Sequence, residues 1–129
     1  MLDVVYPVLN VSGLTTLLNG RVYRDSRPVT SDKRDVVVFA LPIPGGTDID
    51  VQTCTVIVNC FCPDIQPGIQ DNVNLDKITA KVADLLEAYA SSTSYFHMEI
   101  TSQGVMADMD RPGWSYSSVR VDCTIQYLT

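Results

Sequence analysis

Apolar residues in the second half of the chain fall first at helical and then at alternating spacing. Leu75, Ile78, Val82, Leu85, Leu86 and Tyr89 form one stripe of a helix near Asn74–Ala90. Asn74 is its N-cap candidate, and Asp76 suits the positive end of the helix dipole. Lys77, Lys81, Asp84 and Glu87 fall on the polar side. Beyond it, Phe96, Met98 and Ile100 alternate with Tyr95, His97, Glu99 and Thr101, predicting a strand over Tyr95–Gln103. Gly104–Gly113 reads as a connection. A last strand over Trp114–Tyr127 sets Val119, Val121, Cys123, Ile125 and Tyr127 on one face.

The first half is patterned less regularly. Val4, Val5, Val8 and Leu9 suit one helix face within Asp3–Asn10, with Asp3 as cap and Pro7 in or near the first turn. Ser12 is a second cap candidate for a short turn through Leu14, Leu17 and Leu18, closed by Asn19-Gly20, two residues that tolerate a left-handed backbone. Arg21–Arg24 predicts a short strand and Asp25–Arg34 a polar loop containing Pro28. Val36–Leu41 is a Val-rich buried strand, stopped by Pro42-Ile43-Pro44-Gly45-Gly46. Val51–Cys62 alternates most cleanly. Cys54, Val56, Val58, Cys60 and Cys62 share one face, and Thr53, Thr55, Ile57, Asn59 and Phe61 the other. Ile57 and Phe61 on the mixed face fit a further contact, either a neighbouring subunit or a long loop. Pro63–Val73 is a linker.

These elements predict one α+β domain over residues 1–129. It has a mainly antiparallel sheet of about four strands, the long helix on one face and an N-terminal helix near it. The expected core is Val56, Val58, Ile78, Val82, Leu85, Phe96, Met98, Val121 and Ile125.

Composition narrows the class. With 129 residues, 46% hydrophobic and 19% charged, the chain is globular and carries one core. No apolar run approaches the roughly 20 residues of a membrane helix, and Met1-Leu2-Asp3 lacks the features of a signal peptide, which suggests a cytosolic product. The net charge of −6 disfavours general nucleic-acid binding. Charge is uneven, however. Arg21, Arg24, Arg27, Lys33 and Arg34 outnumber Asp25, Asp32 and Asp35 in one segment, so this stretch could dock an acidic neighbour.

Candidate chemistry is sparse. Cys54, Cys60, Cys62 and Cys123 read as buried free thiols, since their spacing does not make a paired zinc motif and a reducing compartment disfavours disulfides. The single histidine, His97, is in phase with Glu99 but has no nucleophile-elbow pattern near it. Asp108 and Asp110 lack the remainder of a calcium loop, and Gly45-Gly46 lacks the rest of a phosphate loop. No cofactor or metal is expected, and the reading is of a non-enzyme. Trp114, the only tryptophan, is either a loop anchor or an interface anchor.

The order of elements carries a resemblance. An N-terminal helix leads into Asn19-Gly20-Arg21-Val22-Tyr23, then a Val-rich strand, a long strand, a helix and two strands. The final part runs Gln103-Gly104, Asp110, Gly113-Trp114 and Ser118-Val119-Arg120-Val121-Asp122-Cys123-Thr124-Ile125. This pattern, spanning nearly the whole chain in short matches, resembles the tail terminator (tail completion) proteins of long-tailed bacteriophages and prophages. The resemblance implies a structural virion protein of the tail-neck region, assembled in the host cytoplasm. It would form a homohexameric ring that caps the tail tube, stops its polymerisation and joins the head-tail connector proteins, without catalysis. An acidic body would suit the wall of a DNA passage. A head-side neck (head-completion) protein of similar size fits the same features, and a small ligand-binding or enzymatic domain using His97 is the contrasting class. The expected protein-contact residues are Arg24, Arg27, Lys33, Arg34 and Trp114.

Overall fold

The computed structural model describes residues 2–42 and 51–126. Eight elements follow in chain order: α1 (Leu2–Leu9), α2 (Ser12–Thr15), β1 (Val22–Arg24), β2 (Val36–Pro42), β3 (Val51–Pro63), α3 (Asn72–Ser92), β4 (Phe96–Ala107) and β5 (Trp114–Gln126). The stop signal over 43–46 and the last-strand position Tyr127 lie outside the described residues.

The fold is α+β. Its sheet has five strands rather than about four, in the order β1-β2-β3-β5-β4. Three strand junctions are antiparallel, but β1 pairs parallel to β2, so the sheet is mixed. A parallel neighbour needs a connection that crosses a sheet face. The 25–35 segment is that connection, and it crosses the face opposite the helices. A second crossover runs from β3 through α3 to β4, which leaves room for β5 to insert between β3 and β4.

The register sorts the side chains into two layers. Val36, Val38, Val56, Val58, Cys60, Cys62, Val119, Val121, Cys123 and Ile125 are buried beneath the helices, with Val5, Leu9, Leu14, Leu75, Ile78, Val82 and Leu86 packed onto them. Of the expected core, Leu85 and Met98 are only partly buried. Leu85 sits on the flank of the helical stripe and Met98 on the edge strand, where fewer neighbours cover it. One polar link joins the layers: the Thr79 hydroxyl lies 2.7 Å from both the Leu75 carbonyl and the Ser117 hydroxyl.

Several boundaries shift, each for a local reason. Asp71, not Asn74, caps α3: its Oδ1 accepts the Asn74 N–H at 3.2 Å, and its Oδ2 accepts the Asn74 side-chain amide at 2.6 Å. The helix therefore starts at Asn72. Pro7 is the sixth residue of α1, past the first turn, and so removes one intrahelical bond. Asp3 sits inside that first turn rather than capping it. Val11 occupies the N-cap of α2 with no side-chain bond, and Ser12 is the first helical residue. β4 continues through Ala107, so the connection to β5 is only residues 108–113, with Gly113 at φ +86. Asn19 and Gly20 are not left-handed. Their role is contact: Asn19 Oδ1 accepts the Arg34 N–H at 2.5 Å, and Gly20 lies against Asp35.

Candidate functional site

The helix-free face of the sheet carries the polar loop. Asp35, at the mouth of β2, is fully buried. Its Oδ1 accepts the Arg21 N–H at 2.9 Å, while Oδ2 accepts the Ser31 hydroxyl at 2.5 Å and Arg27 Nη1 at 3.3 Å. A buried carboxylate without such donors would be strongly destabilising, so the loop curls back to supply them. Arg27 Nη1 also donates to the Lys33 carbonyl at 3.2 Å.

The remaining faces of Arg27 are aromatic. Its guanidinium lies 4.1 Å from the Phe61 ring centroid and 4.7 Å from that of Trp114. Arg111, from the 108–113 turn, lies 4.4 Å over Trp114 and donates to the Ser31 carbonyl. Phe61 then contacts Tyr116 with ring centroids 5.3 Å apart. The result is a row of stacked cations and aromatics, Arg111, Trp114, Arg27, Phe61 and Tyr116, that ties the 25–35 loop to the β4–β5 turn. Guanidinium stacking of this kind stabilises by roughly 0.5–2 kcal/mol per contact.

Two open clefts flank Arg27. One of about 340 Å³ is lined by Arg27, Pro28, Val29, Asp108, Asp110 and Arg111. The other, about 310 Å³, adds Asn59, Phe61, Met109 and Tyr116. Val29 and Met109 stand at their rims, 92% and 91% exposed. The clefts mix two guanidiniums with two carboxylates and apolar tips, a lining suited to a protein surface more than to one small anion. Asp108 Oδ1 accepts the Asp110 N–H at 3.0 Å, so this acidic pair shapes its own turn.

The expected contact residues do not form one patch. Arg27 and Trp114 meet, and Trp114 is buried, packed beneath the loop. The Lys33 side chain is exposed. Arg24 points to the N-terminal helix, where it stacks 4.7 Å over Tyr6 and pairs with Asp3 at 3.3 Å on the surface. Arg34 is half-buried and lies near Cys62, whose thiol it counteracts electrostatically. The residues that complete the site, Asp35, Phe61 and Arg111, were not among them. Arg111-Pro112-Gly113-Trp114 is the one local signal that could have pointed to the arginine–tryptophan stack.

His97 is exposed on β4, opposite Thr124. The four cysteines are buried free thiols. Burial pushes Cys60, Cys62 and Cys123 up to about 12, with the neighbouring Cys62, Asp71 and Cys54 respectively adding to it. Among the described residues no helix is long and apolar enough to cross a membrane, and no group of three or more histidine, cysteine or acidic side chains is placed to hold a metal ion. Neither a protein-family model nor a curated protein matches this chain.

Proposed function

We propose that this chain is a non-catalytic structural subunit, a ring-forming tail terminator that caps a phage tail tube and joins it to the head connector. The observation that carries the reading is one-sidedness. All three helices cover one face of the sheet, while the opposite face presents the Asp25–Arg34 loop and the β4–β5 turn side by side. Val29 and Met109 project from that surface almost fully exposed. Exposed apolar tips set among charged side chains are the composition of a protein–protein contact. The order of elements that resembles the terminator family gives the contact its assignment as ring and tube surface. Virion location and hexameric assembly follow from the same reading.

Native mass spectrometry of the purified protein, alone and with the tail-tube protein, tests it. A hexamer in either sample is expected, and a strict monomer in both overturns the ring. The paired substitutions Val29→Asp and Met109→Asp should abolish the assembly without changing the melting temperature of the monomer. Charge reversal at Arg27 is unsuited to this purpose, because Arg27 neutralises a buried carboxylate.

A further inference from the structure

β4 is one edge of the sheet, and no described strand lies beyond it. Long free edges are normally guarded by charges, proline, a bulge or brevity, and β4 has such guards only in its first half, up to the bulge. β4 has twelve residues, neither lysine nor proline, and one formal charge, Glu99. Its single irregularity falls between Ile100 and Ser102 and divides it in two. The first half packs against the helix layer through Phe96. The second half, Ser102–Ala107, is uncharged and exposed on both faces.

The bonding phase of this edge is fixed. Gln126 donates its N–H to the Tyr95 carbonyl at 2.8 Å, and the register then alternates along the hairpin. Beyond the bulge, Ser102, Gly104 and Met106 bond inward to β5. The N–H and carbonyl groups of Gln103 and Val105 point away from the sheet.

The opposite edge, β1, is three residues long. Head-to-tail continuation of the sheet would leave most of β4 uncovered. Ser102–Ala107 carries no charge, so two copies of it meet without like-charge repulsion across the seam.

We propose that a second copy of this chain pairs edge to edge on Ser102–Ala107, antiparallel, with Gly104 on the two-fold axis. In that register Gln103 exchanges both backbone bonds with Val105 of the other copy, and Val105 with its Gln103. Met106 faces Ser102 across the seam, and Glu99 faces no strand residue. Gly104 meets Gly104 at the closely spaced, non-hydrogen-bonded position, where nothing lies within 4 Å of its missing β-carbon. The contact closes on itself. It is separate from the six-fold contact of a ring and does not rest on the tail-terminator reading.

The test uses the full chain carrying Gly104→Cys, with glutathione disulfide as oxidant. Closely opposed non-hydrogen-bonded positions fall within the reach of a disulfide, whereas a diagonal pair does not. Gly104→Cys should form a disulfide-linked dimer at least about tenfold faster than Gln103→Cys, because only the first pair is held at high effective concentration. The native cysteines are buried and stay unreactive under these conditions. Adding Val105→Pro removes an outward N–H while sparing every bond to β5, and should bring the Gly104→Cys rate down to that of Gln103→Cys. Sedimentation velocity of the unmodified protein should show a dimer that Val105→Pro converts to monomer with unchanged circular dichroism. Equal crosslinking rates, a dimer indifferent to Val105→Pro, or a strict monomer that adds an unrelated extended peptide instead would each overturn the proposal.

Discussion

Gly20 lies against Asp35 so closely that a β-carbon on the glycine would stand 1.9 Å from the carboxylate Oδ1. The same atom would sit 2.6 Å from the Arg34 carbonyl and 2.8 Å from the Lys33 β-carbon. The absence of a side chain at one end of the loop is therefore what lets Asp35 turn inward at the other end. Backbone conformation is not the reason, since Gly20 does not have a positive φ. Gly20→Ala should destabilise the fold by about 3 kcal/mol, the range of a substitution that overpacks a rigid site. Urea denaturation checks it, and a loss under 0.5 kcal/mol would mean that the loop yields easily.

Arg27 is the cation that Asp35 needs. Its side chain is 10% exposed and that of Asp35 0%. Removing one member of such a pair leaves a buried charge unpartnered, so Arg27→Ala should cost about 3–5 kcal/mol. Arg27→Lys should recover only part of this, because an ammonium cannot stack between Phe61 and Trp114 while donating to Asp35. Thermal melts of the two variants, read with tryptophan fluorescence from Trp114, distinguish the charge from the stack. Full rescue by lysine would reduce Arg27 to a simple counter-ion.

Asp71 ties two donors at the start of α3. Asp71→Ala should lower stability by about 1 kcal/mol, the usual worth of an N-cap. Asn74→Ala should cost less, since it leaves the backbone N–H of residue 74 still capped. Chemical denaturation of the pair settles which residue begins the helix, and a reversed order would restore Asn74 as the cap.

Three thiols set an alkaline limit. Cys60, Cys62 and Cys123 stay protonated up to about 12 when folded, against 9.0 for an ordinary cysteine. Above pH 9 the unfolded chain releases these protons first, so it binds fewer than the folded chain and stability falls with rising pH. The decline should run between pH 9 and 12 and be shallower in Cys123→Ala than in the parent. Below pH 9 these thiols should leave stability independent of pH and should resist alkylation until the protein unfolds. Rapid alkylation of the folded protein at pH 8 would contradict their burial.

The periodic elements were legible in the sequence because one residue type in the right phase is enough to signal burial. The Leu75–Tyr89 stripe, the Cys54–Cys62 face and the Val119–Ile125 alternation each predict their buried side without knowledge of any partner, and those sides meet in the core. Short and polar elements were less legible. Asp71 and Asn74 are both good caps, and only the observed bonds decide between them. Gly104–Ala107 has Val105 as its one strong strand former and reads as connection, yet it is held as strand by its ladder to β5.

Periodicity alone specifies the α+β class, the identity of the long helix and the faces of the two longest strands, because it reports burial locally. Tertiary structure decided what the loop does. β1 lies parallel to β2, so residues 25–35 must cross the helix-free face. That crossing brings Arg27 between Phe61 and Trp114, residues 34 and 87 positions further along the chain. It also buries Asp35, which by composition alone is one more surface acid. No local pattern encodes such a contact: its energy comes from groups that meet only after the sheet has formed.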